Sequence, residues 1–464
     1  MMMNSEDMPL LTDLYELTMA QSYFQEGHND QATFSLFIRK YPSNRGFFVS
    51  CGLEDVLRYL EDFRFTQKAI DRLHNTGIFS DEFLDYLKEL RFTGEVRAIP
   101  EGRLFFVDES VMEVTAPIIE AQIVETFIIN QVNLQCLIAS KAARCVHAAR
   151  GRSVVDFSLR RTQGIDAGMK VARASYIAGF NATSNVLAGA TYGIPLSGTM
   201  AHSYVSSYEH EIDAFRAFAK SFPERSILLI ETYDAITGAH KAVEVAREMA
   251  AKGQALRGVR IDSGDLLTLG REVRRILDEA GFHDVQIVGS GGLDEFDLTE
   301  LSQENAPYDA YGVGTRMGVS GDAPWTDMAY KLVRYGERPV LKLSSGKVSL
   351  PAAKQVFRFT EVGYLHHDVI ALREEMIDGG EPLLKRVMAD GHIVVALPSL
   401  REIRERFHEE FSHLDENYKA IQDPDIYPVH LSSGLQVLKE NLEQELEAVE
   451  VGPPRHRPRD LGES

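Results

Sequence analysis

The sequence predicts an α/β fold in which a parallel barrel carries the chemistry and an α+β domain flanks it. A cadence after Gly151 points there first: seven short β-type runs alternate with helical segments. The runs are Ser153 to Phe157, Ala178 to Phe180, Ile194 to Leu196, Ile227 to Ile230, Gly258 to Ile261, Val285 to Val288 and Ala310 to Val313. Strands separated by helical segments become parallel neighbours, because a parallel pair needs a crossover connection. A polar or glycine-containing cluster also follows every run: Ser158 to Arg161, Asn181 to Asn185, Ser197 to His202, Glu231 to Asp234, Asp262 to Asp265, Gly289 to Gly292 and Gly314 to Arg316. One such loop signals only a turn or a helix cap. Seven favour a TIM-like barrel over a doubly wound sheet, whose ligand groups gather at a switch point between a few strands. Length agrees, since 464 residues exceed what one core usually holds.

Residues 1–150 read as the α+β domain, with helical stretches at Leu53 to Phe63 and Asp81 to Leu90 and a strand at Ala32 to Arg39. Short strands and turns fill Gly94 to Thr115, and Ile118 to Ala149 is one long helical region broken once. Residues 151–328 form the barrel. Residues 329–450 return to the front domain through the β-rich stretch Tyr330 to Arg358, which carries Lys331, Lys342, Lys347 and Lys354, and include an amphipathic helix at Leu435 to Val449. Residues 451–464 lack apolar content and read as a flexible tail.

Hydrophobic residues at 44% and charged residues at 25% are ordinary globular usage, which excludes a mainly disordered chain. The formal charge of -20 repels nucleic acid and anionic membranes, so an anionic substrate must meet a local basic cluster. Cys51, Cys136 and Cys145 show no CxxC spacing, which argues against a disulfide framework and for a reducing compartment. No cysteine follows Cys145, so no cysteine-ligated structural zinc is expected late in the chain. Acidic Glu6 and Asp7 and the lack of a long apolar run predict a soluble, cytoplasmic protein without a membrane segment.

Gly289-Ser290-Gly291-Gly292 precedes a helical run near Asp294, so its amides and the helix amino terminus are a candidate anion nest. Gly312-Val313-Gly314-Thr315 repeats that arrangement one strand later, where barrels frequently hold phosphate. Met317 breaks a dinucleotide fingerprint, and no Walker-type loop occurs. Arg160, Arg161, Arg260 and Arg316 all fall at strand ends, suited to a substrate with several phosphates; each alone is as well read as a solvated or ion-paired side chain. Asp262 and Asp265 can bind Mg²⁺ or oppose a developing cation, and Asp262 can equally cap the next helix. Of 14 histidines only His202 ends a barrel strand in a small polar loop. Tyr15 and Phe157 read by default as core aromatics.

Together these residues resemble the nicotinate phosphoribosyltransferase family from Leu11 to about Arg358. The matching stretches, in order, are Thr12 to Met19, Phe157 to Arg161, Gly198 to Ser203, Arg260 to Asp265, Gly289 to Gly292 and Gly312 to Thr315, followed by Lys354-Gln355-Val356-Phe357-Arg358. The resemblance implies a type II phosphoribosyltransferase fold, and a homodimer in which the front domain of one subunit leans over the barrel of the other. It implies that Tyr15 crosses the interface to stack on the pyridine ring, with Phe157 on the opposite face. Arg260 would meet the nicotinate carboxylate, helped by Thr199 and Arg160. Ser290, Gly291, Gly292, Gly314, Thr315 and Arg316 would hold phosphoribosyl pyrophosphate, with Asp262 and Asp265 near the ribose and Mg²⁺. ATP would phosphorylate His202 and drive the transfer. Ser184 stands where the nicotinamide-using relatives carry an aspartate, which favours the acid substrate. The alternatives are a nicotinamide enzyme and a non-catalytic sugar-phosphate-binding barrel.

Overall fold

A computed structural model describes residues 5–343 and 349–451. Lys347 and residues 452–464 of the expected tail lie outside the described residues. The front part opens with the helix Leu14–Glu26 and the strand Gln31–Ile38, then the helices Leu53–Glu61, Gln67–His74 and Asp81–Glu89. Side chains of Thr66 and Ser80 accept from the backbone amides of Ala69 and Phe83, so two of these helices begin where the sequence supplies a cap. The long helical region is broken once, at Val124, between Ile118–Ile123 and Glu125–Ala148.

Gln31–Ile38 is buried along nearly its whole length because it is paired on both sides. Met112–Pro117 and Met328–Tyr335 flank it, both antiparallel, so the chain leaves this sheet, builds the next layer and returns. Glu95–Ala98 and Lys385–Ala389 extend the sheet. A four-stranded sheet adjoins it, ordered Glu381–Pro382, Lys354–Glu361, Tyr364–Leu372, Val429–Leu431.

The segment Lys354 to Arg358 acts there as a structural clasp. Lys354 Nζ lies 3.4 Å from Glu113 of the larger sheet. Gln355 exchanges hydrogen bonds with the backbone of Leu384 at 2.8 and 3.0 Å. Arg358 meets Asp368 at 2.6 Å and also pairs with Glu410. All three side chains are buried, and removing one partner of a buried ion pair costs about 3–5 kcal/mol.

The parallel sheet runs Ala182–Thr183, Ser153–Asp156, Ala310–Val313, Gln286–Gly289, Gly258–Ile261, Ile227–Leu229, with Leu196 bridged in parallel to Thr183 at the first edge. Two expected strands shift. Ala178 to Phe180 closes the helix Ile165–Ile177: the Gly179 amide donates to the Tyr176 carbonyl and the Phe180 amide to that of Ser175, a Schellman ending with Gly179 at φ 110°. A short buried apolar run has no period that separates a strand from a helix end. The strand forms two residues later, and Ile194 to Leu196 supplies a single bridge.

The sheet curls strongly. Thr199, beyond the Leu196 edge, accepts from Arg260 at 2.6 Å, although Arg260 stands five strand positions away. In a flat sheet those positions span roughly 24 Å. His202 likewise reaches Glu231 and Thr232 at the opposite edge. The curvature is consistent with a barrel, with side chains rather than a backbone ladder bringing the two ends of the sheet together among the described residues.

Candidate active site

His202 begins the short helix His202–Ser206, whose N-cap is Ala201. Its Nδ1 lies 3.2 Å from Thr232 Oγ1 and its Nε2 3.3 Å from Glu231 Oε1 and 3.8 Å from Asp262 Oδ2. The imidazole is 47% exposed while the Glu231 carboxylate is 6% exposed, so a buried anion holds a ring that solutes can reach. Ser263 Oγ donates to the other Glu231 oxygen at 2.5 Å, fixing the carboxylate. Glu231 directly follows Ile230 as Asp262 directly follows Ile261. That shared position after a strand is the sequence signal that marks Glu231 as part of the site.

Arg260 NH1 donates to Thr199, and its guanidinium carbon stands 6.0 Å from the Phe157 ring centroid. Burial pulls its pKa down, Asp262 and Glu231 pull it back up, and Arg160 opposes them. An arginine stays charged even so. No carboxylate lies within 4.0 Å of it among the described residues, and its buried Nε has no hydrogen-bond partner there. The site therefore holds an incompletely matched guanidinium beside an aromatic ring. Ser184 is half-buried on the neighbouring loop and its amide donates to the Asp156 carbonyl. Buried Asp156 accepts from the Ser158 amide at 2.8 Å and Thr183 Oγ1 at 2.7 Å, tying two strand ends together.

Ser290 is buried and donates to Asp262 Oδ1 at 2.5 Å. Gly291 has φ 107°, and a Cβ there would sit 1.8 Å from the Asp262 carbonyl oxygen, so a side chain is excluded on two counts. The expected anion nest needs correction at its helix. Asp294 caps Glu295–Gln303 in a capping box with Asp297, filling that amino terminus with carboxylates. Arg316 pairs with Asp294 at 3.4 Å and Asp297 at 3.0 Å, so its charge is already engaged. Arg161 NH1 instead donates to Thr315 Oγ1 at 3.1 Å, next to Gly314.

Asp262 and Asp265 also part company. Asp265 caps the helix Leu266–Glu279, taking the amides of Leu267 and Thr268 and the Thr268 hydroxyl, and those bonds lower its pKa. Asp262 is left for the site, and the helix cap that was its alternative role falls to Asp265. His202, Glu231 and Asp262 each present a ligand atom within 4.8 Å of the others. The two carboxylates suit Mg²⁺, which takes oxygen ligands; the imidazole does not. Tyr15 is apart from this cluster. It is 49% exposed on the first helix, where burial and the carboxylates Glu125, Glu16 and Asp13 raise its phenol pKa.

Family models match three stretches: the nicotinate phosphoribosyltransferase N-terminal domain over residues 10–133, the nicotinate phosphoribosyltransferase family over 152–332 and the corresponding C-terminal domain over 378–439. The chain is 46% identical over 425 residues to nicotinate phosphoribosyltransferase pncB2 of Mycobacterium tuberculosis, covering 91% of each chain. It is 36% identical over 482 residues to the Bacillus subtilis nicotinate phosphoribosyltransferase, covering 95% of this chain and 98% of that one. The human nicotinic acid phosphoribosyltransferase structure superposes with a TM-score of 0.84 at 29% identity, over 93% of this chain and 99% of that chain. A nicotinate-nucleotide pyrophosphorylase from Pyrococcus furiosus gives 0.74 at 26% identity, over 89% and 97%. Among the described residues no helix is long and apolar enough to cross a membrane.

Proposed function

The chain belongs to the nicotinate phosphoribosyltransferase family, and on that premise we propose that it transfers phosphoribosyl from phosphoribosyl pyrophosphate to nicotinate, with ATP turnover coupled through His202. The products are nicotinate mononucleotide and pyrophosphate, a step of NAD biosynthesis. The observation that carries this reading is Arg260, a half-buried guanidinium beside Phe157 with no carboxylate partner among the described residues. A flat aromatic carboxylate supplies what it lacks: an anion for the guanidinium and a ring for Phe157. Thr199 orients the arginine, and Arg160 adds positive potential.

The pyridine nitrogen attacks the anomeric carbon as pyrophosphate leaves, so positive charge builds on the ribose. Asp262, held by Ser290, would oppose that charge, and Ser290, Gly291, Gly292, Gly314 and Thr315 with Arg161, which donates to Thr315, would hold the sugar phosphate. Asp262 and Glu231 would hold Mg²⁺, which neutralises phosphate charge when bound. Asp265 supports this wall as a helix cap, and Arg316 braces the two phosphate loops through Asp294 and Asp297.

Neutral imidazole is nucleophilic near pH 7 and accepts the terminal phosphoryl of ATP as ADP leaves; water later takes that group from the ring. Glu231 and Thr232 set the ring's orientation for both steps. The exposed pair Leu14 and Tyr15 supports a homodimer in which Tyr15 completes the nicotinate site of the partner subunit. Three buried free cysteines fit a cytoplasmic location.

Incubating the pure protein with nicotinate, phosphoribosyl pyrophosphate, ATP and Mg²⁺ tests the reading. Nicotinate mononucleotide, pyrophosphate and ADP are expected; absence of the first two leaves only a sugar-phosphate-binding barrel. His202→Ala is expected to abolish ADP release while a slower ATP-independent transfer survives, and retained ADP release would remove His202 from its role.

A further inference from the structure

The four-stranded sheet carries three histidines on one face, well away in sequence from the strand-end site. His366 and His367 are adjacent, and neighbours in a regular strand point to opposite faces. Here the register slips: Phe359 pairs with His367 and Thr360 with Leu365, which leaves His366 as the extra residue of a bulge. The bulge turns both imidazoles to one side, with Nδ1 atoms 2.8 Å apart and ring planes at 79°. His430 stands on the parallel neighbour strand, its ring centroid 5.6 Å from that of His367.

We propose that His366, His367 and His430 form a binding site for a divalent transition-metal ion of the zinc type. Two facing Nδ1 lone pairs repel unless a proton or a cation lies between them. A tetrahedral zinc with Zn–N near 2.0–2.1 Å separates two ligand nitrogens by about 3.3 Å, so the pair has only to open slightly. Imidazole selects zinc, copper or nickel over magnesium and calcium.

The surroundings have the form that such ligands require. The outer nitrogen of His366, Nε2, lies 3.3 Å from Glu361 Oε2, the carboxylate support that fixes a ligating imidazole's tautomer. The His367 ring stacks on Phe359 with centroids 4.5 Å apart and planes within 3°, which holds its direction. Burial and the neighbouring His366 and His430 lower the His367 pKa, favouring the neutral ligand form. His430 is exposed and free to turn a nitrogen toward the ion. The ion would cross-link Tyr364–Leu372 to the three-residue edge strand Val429–Leu431, which immediately precedes the helix Ser433–Leu446.

Calorimetric titration of the full chain with Zn²⁺ after chelator treatment, at pH 7.5, tests the site. The His202→Ala variant is used alongside, because His202, Glu231 and Asp262 could also take the ion. One binding event is expected to persist in His202→Ala and to disappear in His366→Ala/His367→Ala, while phosphoribosyl transfer by the double variant, measured with excess Mg²⁺ after the chelator is removed and without Zn²⁺, stays at the wild-type level. Glu361→Gln should weaken the event by about tenfold. His430→Ala, a change at an exposed side chain, should weaken it comparably and serves if the double variant does not fold. Wild-type titration by the double variant or by His430→Ala, or loss of the event in His202→Ala, would overturn the proposal.

Discussion

Arg358 and Arg260 belong to different sheets and are furnished in opposite ways. Arg358 donates to both oxygens of Asp368 and to Glu410, and every group is buried. Arg260 donates to one threonine hydroxyl and has no carboxylate within ion-pair distance among the described residues. The same contrast separates Glu295, enclosed by Lys141 and Arg144, from Asp262, held by a serine beside an exposed histidine. Charge placed for stability is matched inside the protein. Charge in the proposed site keeps part of its capacity for a partner that arrives later.

Breaking the matched side should hurt folding and spare catalysis. Arg358→Ala leaves Asp368 buried without its cation and Glu410 with Arg103 alone, so a loss of about 3–5 kcal/mol is expected in denaturant unfolding, with nicotinate KM unchanged in the folded fraction. A raised KM would mean that the clasp reaches the site. Asp262→Asn should do the reverse, lowering kcat by roughly 10²–10³-fold with an unchanged unfolding midpoint, since it removes charge stabilisation at the transition state.

Glu16 sharpens the comparison because it is a buried acid with no cation partner among the described residues. Its carboxylate accepts from Thr12 and, at 2.8 Å, from Thr126, yet burial outweighs those bonds, and Glu125 and Asp13 add to it, raising the pKa to about 7. The folded protein therefore binds more protons than the unfolded chain between 4.5 and about 7, and stability from this group falls as pH rises through that window. Glu16→Gln should flatten that part of the profile, measured as unfolding midpoint against pH. An unchanged slope would place the proton elsewhere. The smallest effect is expected from Ser184→Asp, which adds a carboxylate near the ring: nicotinate use should fall relative to nicotinamide in paired kcat/KM measurements. Equal ratios before and after would show that Ser184 does not set the preference.

Much of this was legible from residue order. The parallel sheet was visible in alternating runs and loops, and the strand-end clusters placed His202, Asp262, Arg260 and Ser290 together because parallel strands share one carboxyl end. Ala178 to Phe180 misled because three buried apolar residues carry no period. Asp265 and Arg316 misled for another reason: nothing in their spacing tells that one spends its oxygens on amides and the other its charge on Asp294 and Asp297.

The sequence by itself determined the fold class, the family and the set of polar residues at the strand ends, because these follow from local periodicity and from motifs in order along the chain. Tertiary structure alone decided which of those residues are free to react. Whether Asp262 or Asp265 caps a helix, whether Glu231 stands behind His202, and whether a bulge turns His366 and His367 to one face all depend on contacts between segments far apart in the chain. A hydrogen-bond valence is spent by whichever neighbour folding brings within about 3 Å, and linear order does not encode that distance.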